Sequence, residues 1–124
     1  MSHILLAYST VDGHTRKICE RLRERMESEG HAVTLAEIGA TMPASLESHD
    51  KIVIGASIRY GKHRPAVYEF IRMNQRVLES RPSAFFTVNV VARKPGKDTS
   101  DTNPYMKGFR RKTTWRPALL GVFA

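Results

Sequence analysis

The stretch "HILLAYSTVDGHTRK", residues 3–17, decides how the chain reads. The apolar run "HILLAY" (3–8) stops at a polar loop of Ser, Thr, Asp and Gly, and a charged, helix-like stretch opens behind it. A short apolar run bounded by a turn fits a strand buried on both faces of a parallel sheet. Over residues 15–29, Ile18, Leu22 and Met26 recur every fourth position with Cys19 beside them, and Arg and Glu take the other faces. That is the stripe of an amphipathic helix, and Gly30 follows as its stop.

The same alternation continues along the chain. "HAVTLAEI" (31–38) and "DKIVIGASI" (50–58) read as strands. Residues 65–79 read as a helix with Val67, Phe70, Ile71 and Leu78 on its apolar side and Pro65 in its first turn. "SAFFTVNVVA" (83–92) is the longest β-rich run, residues 103–113 look helical with Tyr105, Met106 and Phe109 on one side, and "ALLGVFA" (118–124) begins a fifth strand. Strands alternating with helices predict an α/β fold with a parallel sheet and right-handed crossovers. At 124 residues there is room for one domain, 1–124. A doubly wound sheet normally covers its last strand with a helix, so the expectation is a domain incomplete at the C-terminus, its last helix absent.

Composition narrows the setting. The single cysteine, Cys19, excludes an internal disulfide and points to a reducing, cytoplasmic compartment. No apolar stretch approaches the roughly 18 residues of a membrane span, and the N-terminus lacks the pattern of a secretory leader. The net charge of +8 is lopsided: residues 1–50 carry 5 Lys/Arg against 8 Asp/Glu, residues 51–124 carry 15 against 4. The densest part, Arg93 to Arg116, holds 8 basic and 2 acidic residues. Such a half suits an anionic partner: nucleic acid, anionic lipid or a poly-acid substrate. A solvated basic face has the same composition.

In a sheet of this kind ligands bind at the carboxyl ends of the strands, at the topological switch point. Residues 9–15, 56–63 and 89–95 should converge there. The first, "STVDGHT", joins a strand to a helix N-terminus, a natural anion site, with hydroxyls from Ser9, Thr10 and Thr15 and close backbone approach at Gly13. It matches neither G-x-x-x-x-G-K-[ST] nor G-x-G-x-x-G. Simple capping of the helix by Asp12 or Thr15 explains it equally well. The second, "ASIRYGKHRPA", offers Ser57, Gly61 and the flat face of Tyr60. The third, "NVVARKPGKD", offers Asn89, able to read an edge with donor and acceptor, and the cations Arg93 and Lys94. The five histidines show no metal spacing, no G-x-S-x-G is present, and Cys19 belongs to an apolar stripe. No metal site and no protein nucleophile is therefore expected, and the chemistry is left to a bound cofactor.

A hydroxyl-rich loop after the first strand, an aromatic loop after the third and an Asn-containing loop after the fourth resemble flavodoxin and its FMN site. "YSTVDGHTRKI", "IVIGASIRYGKH" and "PSAFFTVNVVARKP", followed by "TNPYMKGF" and "WRP", resemble more narrowly the flavodoxin-like, menaquinone-dependent protoporphyrinogen IX dehydrogenases of bacterial haem synthesis. The resemblance runs over essentially the whole chain. It implies a flavodoxin-like, doubly wound five-stranded parallel sheet with helices on both faces and FMN at its carboxyl edge. Ser9, Thr10, Val11, Asp12, Gly13, His14 and Thr15 would wrap the phosphate. Ser57, Ile58, Arg59, Tyr60 and Gly61 would border the isoalloxazine, with Tyr60 stacking on it, and Asn89, Val90, Val91, Ala92 and Arg93 would flank the ring from the other side. It also implies oxidation of protoporphyrinogen IX, a membrane quinone as acceptor, and a peripheral position on the inner face of the cell membrane, where the basic half meets porphyrin propionates and anionic headgroups.

The sequence departs from this family at two points. Flavodoxin's first loop commonly has Thr where Asp12 stands, so Asp12 is expected to turn away from the phosphate and cap the helix. The family also continues past the fifth strand with a basic, aromatic loop and a last helix, so the chain reads as C-terminally truncated, with pairing to a second copy across its open edge as one way to complete it. Three other readings compete. An electron-carrier flavodoxin, or a non-catalytic domain of that fold, shares the loops, although such carriers are usually acidic. A signalling receiver needs a phosphoacceptor Asp where this chain has Gly55-Ala56-Ser57. A nucleic-acid module would use Arg93–Arg116 with Tyr105, Phe109 and Trp115, and is not expected.

Overall fold

The computed structural model describes residues 2–9, 13–38, 46–59 and 62–123. Strand β1 (His3–Ser9) leads through Gly13 into helix α1 (His14–Ser28), which is followed by β2 (Ala32–Glu37). A single 3₁₀ turn (Leu46–Ser48) precedes β3 (Lys51–Arg59), which pairs antiparallel with the two-residue β4 (Lys62–His63). Helix α2 (Pro65–Glu79), β5 (Ser83–Val88), a 3₁₀ turn (Val90–Arg93), helix α3 (Pro104–Lys112) and β6 (Leu119–Phe123) complete the order.

Five strands run parallel in the spatial order β2-β1-β3-β5-β6, with β4 off that path. The chain builds outward from β1 to β2, then crosses to β3 on the other side of β1. The switch point therefore lies between β1 and β3, where Ser9 sits opposite Ala56. This is the flavodoxin-like, doubly wound arrangement expected from the sequence, and helix α2 spans the residues expected of it, 65–79. The β-rich run 83–92 divides. Its first six residues pair, whereas Asn89 leaves the ladder and its side-chain oxygen accepts the Ala92 N–H at 3.1 Å, folding the next four into the 3₁₀ turn.

The pleat sends alternate residues to opposite faces. On one face Leu5, Ala7, Ile52, Ile54 and Phe85 pack under α2 and α3, against Val67, Phe70, Ile71, Leu78, Met106, Phe109 and Trp115. An aromatic stack centres this core: Phe85 and Phe109 lie face to face in nearly parallel planes with centroids 3.8 Å apart, and Trp115 meets both edge-on. On the other face Leu6, Tyr8, Phe86 and Val88 gather around Cys19 of α1, with Ile18, Leu22 and Met26 only partly covered. Helix α1 covers the β2-β1-β3 side of that face. Over β6, Leu119 and Phe123 stay exposed. Phe86 bridges the two halves of this face, its ring lying over Gly55 of β3 and edge-on to Phe123 at 5.2 Å.

Candidate cofactor site at the carboxyl edge

The carboxyl ends of β1, β3 and β5 lie side by side in the sheet. At the end of β1, Ser9 is buried, and its carbonyl accepts the Ser57 hydroxyl at 3.4 Å, so the ends of β1 and β3 are tied across the switch point. Gly13 sits just before α1 in the left-handed region, at φ 87°, a conformation that costs a residue with a Cβ about 1 kcal/mol or more. Helix α1 then starts with exposed His14 and fully buried Thr15.

Thr15 carries the informative observation here. Its Oγ1 is, among the described residues, the one buried side-chain oxygen without a hydrogen-bond partner. Leaving a hydroxyl buried and unpaired costs about 1–3 kcal/mol. This one lies in the first turn of a helix at the switch point, where a helix dipole favours an anion. A phosphate oxygen there would satisfy it, so the residues present fit a phosphorylated cofactor. The bland alternative, Thr15 capping the helix, is not what its hydroxyl does. The capping expected of Asp12 falls outside the described residues, as do Thr10, Val11, Tyr60 and Gly61.

The chain after β5 and the residues of β4 are held by a buried polar network. At its centre is Asn89, whose Nδ2 donates to Thr87 Oγ1 and to Asn103 Oδ1, both at 3.2 Å, and whose Oδ1 accepts from Ala92 N–H and from Asn103 Nδ2. Every donor and acceptor of that amide is engaged within the protein. Asn89 thus shapes the turn 90–93 instead of reading a ligand edge with its amide, the role its residue type suggested. Ala92 is buried in that turn, and Arg93 projects into solvent at its end. From Thr87 the network continues to His63: His63 Nε2 lies 2.8 Å from Thr87 Oγ1, and His63 Nδ1 lies 3.0 Å from the Tyr68 hydroxyl. Burial, with Lys112 nearby, pushes the His63 pKa down to about 4, so the ring is neutral near pH 7. Burial pushes the Tyr68 phenol up to about 12. Ser57 is buried and Ile58 half-buried at the end of β3, and Arg59 ends the strand.

Other candidate chemistry recedes. Burial, reinforced by Glu20, raises the Cys19 thiol to about 12, so it packs as an inert apolar group. Part of the basic half is also committed internally. Arg81 donates to the carbonyls of Leu46, Glu47 and His49, Arg116 to those of Arg110, Thr113 and Trp115, and Arg72 pairs with Glu69 at 2.6 Å. Sequence reasoning missed Asn103 and the role of His63, although an Asn directly before Pro104 is a recognisable helix start.

The flavodoxin domain family model matches residues 5–124. The chain belongs to the flavodoxin family. This flavodoxin domain is 41% identical over 120 residues to a protein of Escherichia coli named protoporphyrinogen IX dehydrogenase [quinone], a match that covers 97% of the chain and 66% of that relative. The narrower resemblance drawn from the sequence strings therefore holds, and the chain spans about two thirds of the curated relative's length. Among solved structures, two-electron-reduced Megasphaera elsdenii flavodoxin superposes with a TM-score of 0.73 at 14% identity, covering 97% of this chain and 85% of that one. Fusobacterium nucleatum flavodoxin bound to flavin mononucleotide superposes with a TM-score of 0.62 at 9% identity, covering all of this chain and 80% of that one. At those identities the structures establish the fold.

Proposed function

We propose that the chain binds FMN at the β1–β3 switch point and forms the flavin-binding part of an oxidoreductase that converts protoporphyrinogen IX to protoporphyrin IX in haem biosynthesis, with electrons leaving to a membrane quinone. The observation that carries this reading is the 41% identity, sustained over 97% of the chain, to a protein of that name. The unsatisfied Thr15 hydroxyl supports the cofactor independently. When bound, FMN would supply the redox chemistry in two-electron steps, three of them for the six hydrogens that the porphyrinogen loses in becoming porphyrin, with the electrons passed on to the quinone.

The protein's part is to bind and orient. Residues Ser9, Thr10, Val11, Asp12, Gly13, His14 and Thr15 would hold the phosphate, with Thr15 Oγ1 as a direct donor. Ser57, Ile58, Arg59, Tyr60 and Gly61 would border one side of the ring, Tyr60 by stacking, and the turn Asn89–Arg93 the other. Arg59 and Arg93 would meet the substrate's carboxylates. The exposed cations Lys94, Lys97, Lys107 and Arg111 would bring the domain to an anionic inner membrane face. Among the described residues no helix is long and apolar enough to cross a membrane. Retention on anionic but not neutral vesicles, lost in a Lys107→Glu/Arg111→Glu variant, is expected.

The test of the activity is anaerobic addition of protoporphyrinogen IX to the FMN-loaded protein, read by porphyrin fluorescence. Porphyrin formed in proportion to flavin, and catalytically once a quinone is added, is the expected result. Porphyrin no faster than with free FMN would contradict the activity. Tight flavin binding in the same preparation would then leave an electron-transfer flavodoxin.

A further inference from the structure

The ring-side turn Val90–Arg93 has no ladder partner of its own, and its conformation must be set from elsewhere. Its anchor, Asn89, is saturated, and two of the four side-chain bonds it makes go to Asn103, fourteen positions along the chain. Asn103 is fully buried. Its Oδ1 accepts the Tyr105 and Met106 N–H groups at 3.1 and 3.3 Å, capping α3, while its Nδ2 donates to Asn89 Oδ1 at 3.0 Å and to the Lys97 carbonyl at 2.9 Å. One amide thus joins the start of α3, the 94–97 turn and the flavin-side turn. Through Thr87 the same network reaches His63, just beyond the β3–β4 connection.

We propose that Asn103 is a positioning residue for the flavin. It does not touch the ring. By gripping Asn89 it fixes the backbone of 90–93 in the shape that flanks the isoalloxazine, and through the Asn89–Thr87–His63 chain it ties that turn to β4. The inference rests on the FMN reading above and adds a residue outside the three carboxyl-edge loops.

Asn103 has separable halves, which makes the idea testable. In Asn103→Asp the acceptor that caps α3 survives. The donor is lost, and a carboxylate oxygen now faces the Asn89 side-chain oxygen and the Lys97 carbonyl. The variant should keep hydrogen-exchange protection in α3 and lose it at residues 90–97, in flavin-free protein. Binding of riboflavin and of FMN should weaken by the same factor, about 10-fold, because the damage is on the ring side and spares the phosphate. A Phe109→Leu variant, destabilised through the core, serves as control and should bind both flavins nearly as the parent does.

Unchanged exchange at 90–97 in Asn103→Asp would overturn the clamp. Unchanged flavin affinity with increased exchange would overturn its role toward the ring. An equal loss of both flavins in Phe109→Leu would reduce Asn103 to a stability contribution and also overturn the proposal. A parent protein that takes up neither flavin would overturn the FMN reading and the ring-side role with it, while the exchange pattern still decides whether Asn103 holds the turn.

Discussion

Asn89 and Asn103 exchange amide hydrogen bonds in both directions, Asn89 Nδ2 to Asn103 Oδ1 at 3.2 Å and Asn103 Nδ2 to Asn89 Oδ1 at 3.0 Å. Both side chains are buried, so neither has water as a substitute partner. Asn89→Ala strands an Asn103 amide hydrogen and leaves the Ala92 N–H only its longer bond to the Asn89 carbonyl, at 3.3 Å. A loss of about 1–3 kcal/mol in stability is expected, the cost of one buried group left unpaired. Urea unfolding measures it, and a loss below 1 kcal/mol would mean that the pair is not made in solution.

Thr15 sets stability against binding. Thr15→Val removes an unpaired buried hydroxyl at nearly constant volume. The flavin-free protein should therefore be unchanged or more stable, by up to about 1 kcal/mol. FMN should bind about 10-fold less tightly, since a hydrogen bond to a charged phosphate contributes about 1.5–3 kcal/mol. Riboflavin affinity should not move. A fall in the melting temperature of the flavin-free variant would show that the hydroxyl already has a partner.

His63 gives the acid side of the stability curve a defined shape. Its pKa falls from 6.5 to about 4 on folding, chiefly by burial. Between those values the unfolded chain binds a proton that the folded protein refuses. Stability is therefore intact above about pH 6.5 and declines as the pH falls toward 4, by up to about 1.4 kcal/mol per unit and about 3 kcal/mol in all. His63→Gln keeps a polar side chain opposite Thr87 and Tyr68 and should flatten that segment. Equal slopes in the two proteins between pH 6.5 and 4 would assign the decline to other groups.

Gly55 is required by its neighbour. A Cβ there would run into the Cζ, Cε1 and Cε2 atoms of Phe86, whose ring is held on its far side by Phe123. Gly55→Ala should cost about 1–3 kcal/mol, as overpacking of a filled core does. Phe86→Leu in the same chain should return part of that loss. Additive destabilisation in the double variant would show that the methyl group and the ring never meet.

The contrast between what the sequence reveals and what it hides follows from range. Helix α2 is readable because Val67, Phe70, Ile71 and Leu78 declare its period locally and Pro65 marks its start. Strands β1 and β3 are readable as short apolar runs closed by turns. The end of β5 is not. Asn89, Val90 and Val91 have strand-like neighbours, and the strand stops there because of a side-chain bond to Ala92 and a partner fourteen residues away. His63 is hidden for the same reason, its partner Thr87 lying 24 positions ahead on another strand. In the site, the loops themselves were legible from composition and position. Which hydroxyl lacks a partner is a property of packing, visible only once Thr15 is seen to be buried.

The most direct test of the account is a titration of the flavin-free protein with FMN and, separately, riboflavin, followed by loss of flavin fluorescence. The account predicts saturable quenching by FMN and at least about 100-fold weaker binding of riboflavin, since the phosphate would engage the first turn of α1 through several hydrogen bonds to an anion, each contributing about 1.5–3 kcal/mol. No quenching by FMN at high concentration, or equal affinities for the two flavins, would contradict a phosphate site between β1 and α1.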